Sequence, residues 1–102
     1  VEGGAAAARL RAILDAADDG ARWLAELGLG TNPCARRIAA VENKFRLGTA
    51  HIALGDNRLI GWRAAETLGG TLRSGRHIDL VADDVTIELD GRAVIEAGRL
   101  LL

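Results

Sequence analysis

The sequence predicts an α+β domain, with N-terminal helices followed by a small, mostly antiparallel sheet that ends in a β-hairpin. Three observations carry this. Leu10, Ile13, Leu14 and Ala17 recur at helical spacing. Leu47–Leu54 and Arg76–Val81 follow the two-residue period of a strand. Asp90-Gly91 stands between two β-rich runs, Thr86–Leu89 and Arg92–Ile95, where it signals a tight hairpin turn. Helical pattern first and strands afterwards is the order of an α+β chain. With 102 residues, the expectation is one domain spanning 1–102 with one modest core.

Taken in order, the first helix is expected from Ala5 to Asp19, with Gly20 as its stop. Asp18 and Asp19 fall at the end where the helix dipole disfavours acids, which argues for an earlier end. Ala21–Leu27 suits a continued helix or a short strand, broken by Gly28 and Gly30. Thr31-Asn32-Pro33 reads as a helix start and predicts a short helix from Pro33 to Val41, with Cys34 a small apolar residue within it. In the strand Leu47–Leu54, Thr49 and His51 share one face. Gly55-Asp56-Asn57 is turn material. Trp62–Leu68 suits one helical turn and reads as a surface excursion or, alternatively, as a contact surface for a partner with Trp62 as its anchor. On the strand Arg76–Val81, His77 and Asp79 point the same way.

Composition excludes several function classes. Thirteen basic residues against fourteen acidic ones leave a net charge of −1, unlike a nucleic-acid or anionic-membrane binder. With Trp23, Trp62 and Phe45 as the aromatic residues, platforms for stacking bases are nearly absent. No apolar run is long enough to span a bilayer. No leader pattern opens the sequence. A single cysteine excludes an internal disulfide and fits a cytoplasmic location.

The chemistry-bearing residues point to a metal. His77 and Asp79, two apart on a strand, bring an imidazole and a carboxylate together. His51 also sits on a strand, and Glu26 lies among apolar and glycine neighbours. Glu26, His51, His77 and Asp79 offer two nitrogen and two carboxylate donors, a set suited to zinc, with cobalt or manganese as alternatives. The competing reading is a hydrogen-bonded structural pair without metal. Asp83, Asp84 and Glu88 read as solvated strand-end charges.

Four blocks in order carry a family resemblance: Ala25–Pro33, Leu47–Asn57, Gly69-Gly70-Thr71 through His77-Ile78-Asp79, and Ile87–Arg92. They resemble the C-terminal portion of the aminopeptidase T family, the thermophilic-type leucyl metalloaminopeptidases. The resemblance implies that Glu26, His51, His77 and Asp79 are ligands of a two-metal centre that activates water against a peptide. The family's further upstream glutamate and its tyrosine have no counterpart, Arg58 standing near the tyrosine's position. The implied protein is a truncated, metal-binding, aminopeptidase-like domain acting on peptides, with catalysis left open. Its alternative is a non-catalytic peptide- or protein-binding accessory domain, for example in peptide maturation. Surface exposed by the missing portion predicts a homo-oligomer or a partner chain.

Overall fold

The computed structural model describes residues 3–60 and 64–101. An N-terminal helix, α1 (Ala5–Asp15), precedes β1 (Leu24–Leu29), a short α2 (Ala40–Asn43), β2 (Ala50–Gly55), β3 (His77–Ala82), β4 (Ile87–Leu89), β5 (Arg92–Glu96) and β6 (Arg99–Leu100). Two three-stranded antiparallel sheets result, ordered β1-β2-β3 and β4-β5-β6. The α+β class is as the sequence implies. Among the described residues no helix is long and apolar enough to cross a membrane. Chain contacts define two units: Val1–Ala25 with Ala53–Ile78, and Glu26–Ile52 with Asp79–Leu102.

In the first unit, α1 stops at Asp15 rather than Asp19. Asp18 is drawn elsewhere. Its carboxylate accepts hydrogen bonds from the Gly75 amide at 2.8 Å and the Ser74 hydroxyl at 3.1 Å, and it opens a 3-10 turn at Asp19–Arg22. Gly20 therefore does not end the helix. It sits in that turn because a Cβ there would lie 2.2 Å from the Arg73 carbonyl. Among the described residues of this unit, Leu14, Ala21, Ala53 and Ala65 are the buried apolar ones. Trp62 lies outside the described residues; the following chain closes one helical turn, with the Leu68 amide donating to the Ala64 carbonyl at 2.9 Å.

The bonds from Gly75 and Ser74 hold the Asp18 carboxyl below its ordinary value, Gly75 contributing most. A carboxyl depressed in the folded state stabilises that state fully above its unfolded pKa of about 3.9 and loses the contribution as pH falls through the folded value. Asp18→Ala is therefore expected to melt below wild type at pH 7, with the gap closing as pH drops below about 4. Thermal melts across that range check this; a gap independent of pH would show that the carboxylate charge is irrelevant.

In the second unit, β1 and β2 run antiparallel and open into a bulge. The Gly48 amide donates to the Gly30 carbonyl at 3.2 Å and the Gly30 amide to the Thr49 carbonyl at 2.8 Å, with Gly48 at φ +83°. Two residues thus face one, with glycine in the left-handed region, which is the G1 bulge. It sets the phase of β2, where His51, Ala53 and Gly55 are buried and their neighbours are not. Gly28, expected to break the chain, lies inside β1. A Cβ there would lie 2.1 Å from the His51 ring, so the missing side chain makes room for the imidazole.

The helix expected at Pro33–Val41 is largely absent; α2 covers Ala40–Asn43 alone. The Asn32 carboxamide instead accepts from the Cys34 amide at 2.9 Å, closing an Asx turn, and Asn32 pairs by its backbone with Phe45 and Leu47. Cys34 is exposed rather than packed in a helix. The Asp90-Gly91 hairpin forms as read, with both residues at positive φ (51° and 77°) and Ile87 opposite Ile95. Ile95 is fully buried. Asp83 is not simply solvated: it pairs with Arg46 and Arg37.

Candidate metal site

Each predicted ligand stands on a strand of the first sheet: Glu26 on β1, His51 on β2, His77 and Asp79 on β3. The strand period gives His77 and Asp79 a common direction. One ligand atom from each of Glu26, His77 and Asp79 lies within 4.8 Å of the other two, an arrangement suited to a single ion. His51 stands one step back. Its Nε2 is 3.0 Å from Glu26 Oε1.

The two imidazoles are held differently. His77 is exposed, and its Nδ1 lies 2.6 Å from the Asp56 carbonyl. A carbonyl only accepts, so Nδ1 carries a proton. Metal-binding histidines are commonly fixed by such a bond. His51 is buried, and the Glu26 carboxylate beside Nε2 assigns the proton there. Its Nδ1 has no hydrogen-bond partner among the described residues.

Two residues that sequence reasoning passed over support the site. Asp56, read as turn material, is a hub. Its carboxylate accepts from the Arg58 guanidinium at 2.7 Å, the Arg58 amide at 2.9 Å and the Ser74 amide at 3.2 Å, while its amide donates to Arg76 at 2.7 Å. The Arg58 side chain first, then its amide, hold the Asp56 carboxyl far below the carboxylate range and keep it charged. Arg58, near the position of the expected tyrosine, is thus a brace for the turn that orients His77.

Lys44 is the other. Its ammonium is 3.1 Å from Asp79 Oδ1 and 3.9 Å from Glu26 Oε1, with the side chain 13% exposed. One signal was available: of the thirteen basic residues, Lys44 is the single lysine and the other twelve are arginines.

Donor chemistry at the cluster fits a divalent ion of intermediate hardness. One imidazole and two carboxylates give three donors and leave coordination positions open, close in count to the two-histidine, one-carboxylate set of non-haem iron oxygenases. No thiolate belongs to the group, Cys34 being exposed elsewhere.

A family model described as NicX, 2,5-dihydroxypyridine 5,6-dioxygenase, matches residues 1–102. Neither a curated protein nor a solved structure matches the chain. The family match overturns the aminopeptidase reading, its hydrolase chemistry and its accessory-domain alternative. The physical reason is that the blocks behind that reading are scaffold: strand-end glycines, a hairpin and a His-x-Asp pair present ligands without specifying the reaction. Over its whole length the chain belongs to the NicX family of 2,5-dihydroxypyridine 5,6-dioxygenases.

Proposed function

We propose that residues 1–102 form one domain that holds the metal of a ring-opening dioxygenase acting on 2,5-dihydroxypyridine, with Glu26, His77 and Asp79 as ligands. The family match over the full chain carries the reading. The ligand group supports it, because three donors leave room for substrate and dioxygen. Iron is the metal we assign in place of the zinc expected above. Bound there, ferrous iron would supply the one-electron and dioxygen chemistry that side chains lack.

The chain's own residues have definable parts. Asp56 holds the His77 ring through the bond between its carbonyl and Nδ1. His51 and Lys44 flank the Glu26 carboxylate and limit its rotation. The two carboxylates would lower the net charge of an ion held there.

The test is metal content and oxygen uptake. Protein loaded anaerobically with ferrous iron is expected to bind about one ion per chain and to consume oxygen when 2,5-dihydroxypyridine is added. His77→Ala is expected to lose at least tenfold in metal affinity, with oxygen uptake falling to background. Equal iron binding in both proteins would overturn the ligand assignment. Tight iron binding without oxygen uptake in any assembly state would overturn the reaction.

Trp23 and Leu24 are exposed by 62% and 63%. An apolar surface of this kind supports a second copy or a partner chain as part of the proposal. Sedimentation of a monomer at high concentration would count against a second copy.

A further inference from the structure

Lys44 is the one cation of its kind in the chain, and it lies between the two carboxylates of the ligand group. An ammonium 13% exposed and an imidazole 3% exposed, both against Glu26, make a polar cluster drawn largely out of water. Such a cluster must balance its charge locally. The carboxylates of Glu26 and Asp79 contribute two negative charges and Lys44 returns one. A divalent ion on the same carboxylates would bring two more positive charges close to the ammonium, and at that range the repulsion is strong.

We propose that Lys44 is the resident counter-charge of the metal site: its ammonium holds Asp79 and Glu26 together when no metal is bound, and a divalent ion must displace it to bind. This rests on the metal reading above and adds the element that sets the site's affinity. Lysine suits a displaceable charge better than arginine does. Guanidinium forms a rigid two-pronged pair with carboxylates, whereas ammonium is a compact charge on a flexible stem that swings away at small cost. Arginine fills every other basic position of this sequence. The stem has somewhere to go: Nζ already lies 5.8 Å from the centre of the Phe45 ring, whose face accepts a cation.

The main experiment is calorimetric titration of the whole chain with Mn²⁺, an air-stable probe of a ferrous site. Lys44→Gln is expected to bind Mn²⁺ at least tenfold more tightly than wild type. Lys44→Arg, which keeps the charge and tightens its hold on the carboxylates, is expected to bind no better than wild type. Wild-type protein supplies a second readout that needs no variant. Lys44 carries the single side-chain amine, so its acetylation by an amine-specific reagent is readable by peptide mass. Saturating Mn²⁺ is expected to raise that rate at least threefold as the ammonium leaves its carboxylates.

Unchanged or weaker binding in Lys44→Gln, or an acetylation rate that Mn²⁺ leaves unchanged or lowers, overturns the displacement. Absence of Mn²⁺ binding in wild type and in Lys44→Gln alike overturns the metal reading itself, and this inference with it.

Discussion

Gly30→Ala is expected to lower the melting temperature by roughly 20 °C. A Cβ on residue 30 would lie 1.8 Å from the Arg46 carbonyl and 2.3 Å from the Thr49 hydroxyl. Neither neighbour can retreat. The carbonyl is backbone, and Thr49 is buried with its hydroxyl donating to that same carbonyl at 2.8 Å. Relief requires opening the bulge where Gly30, Gly48 and Thr49 exchange hydrogen bonds. Overpacking against backbone together with the loss of these bonds costs about 4 kcal/mol, a large part of the roughly 5–15 kcal/mol that holds a domain of this size. Gly91→Ala is the matched control. It has positive φ (77°) but nothing within 4 Å of the added methyl, so it should cost about 1 kcal/mol. Thermal melts decide the matter: similar melting temperatures for the two variants would mean that the bulge tolerates a side chain. The damage would reach the site as well, since Thr49 also approaches the Lys44 carbonyl, at 3.4 Å.

Asp79→Asn should produce the second largest effect, and on two quantities together. The Asp79 and Lys44 side chains are 24% and 13% exposed, so the pair is largely withdrawn from solvent. Neutralising one partner leaves the ammonium with a weaker acceptor and with Glu26 at 3.9 Å. Breaking a fully buried pair typically costs 3–5 kcal/mol; with the remaining exposure here the expectation is about 2 kcal/mol, or roughly 10 °C in melting temperature. Metal affinity should fall by more than tenfold, because a carboxylate ligand becomes a neutral amide. The Arg22–Asp15 pair supplies the contrast. With side chains 52% and 61% exposed, its removal by Asp15→Asn should change stability by less than about 0.5 kcal/mol. An Asp79→Asn protein as stable as Asp15→Asn would show that Lys44 does not depend on Asp79.

Sequence made some of this legible and hid the rest for identifiable reasons. The β4–β5 hairpin was readable because Asp90-Gly91 needs no distant partner to adopt its turn. The turn into β6 was not, because Ala97 occupies a position with φ 44° that alanine rarely takes, and nothing local announces it. At Asn32-Pro33 the local helix signal lost to pairing with Phe45 and Leu47, contacts invisible in a window of a few residues. His77 and Asp79 were readable as a pair because the strand period alone aligns them. Lys44 meets Asp79 across 35 positions, and Asp56 meets His77 across 21, so their roles exist only in the fold. Reaction class was the least legible. Imidazoles and carboxylates on a small sheet serve hydrolysis and oxygenation alike, and it took the match over residues 1–102 to separate them.

The empty place at Gly28 carries a consequence for how this sequence can change over time. The His51 ring lies 2.1 Å from where a Cβ would be, so positions 28 and 51 form a lock and its key. A lineage that acquires any side chain at 28 must first give up the imidazole at 51, and one that has lost the imidazole is free to fill 28. Related chains should therefore sort into two kinds, glycine with histidine or a larger residue with a smaller one. The mixed combination of a side chain at 28 with histidine at 51 should be missing.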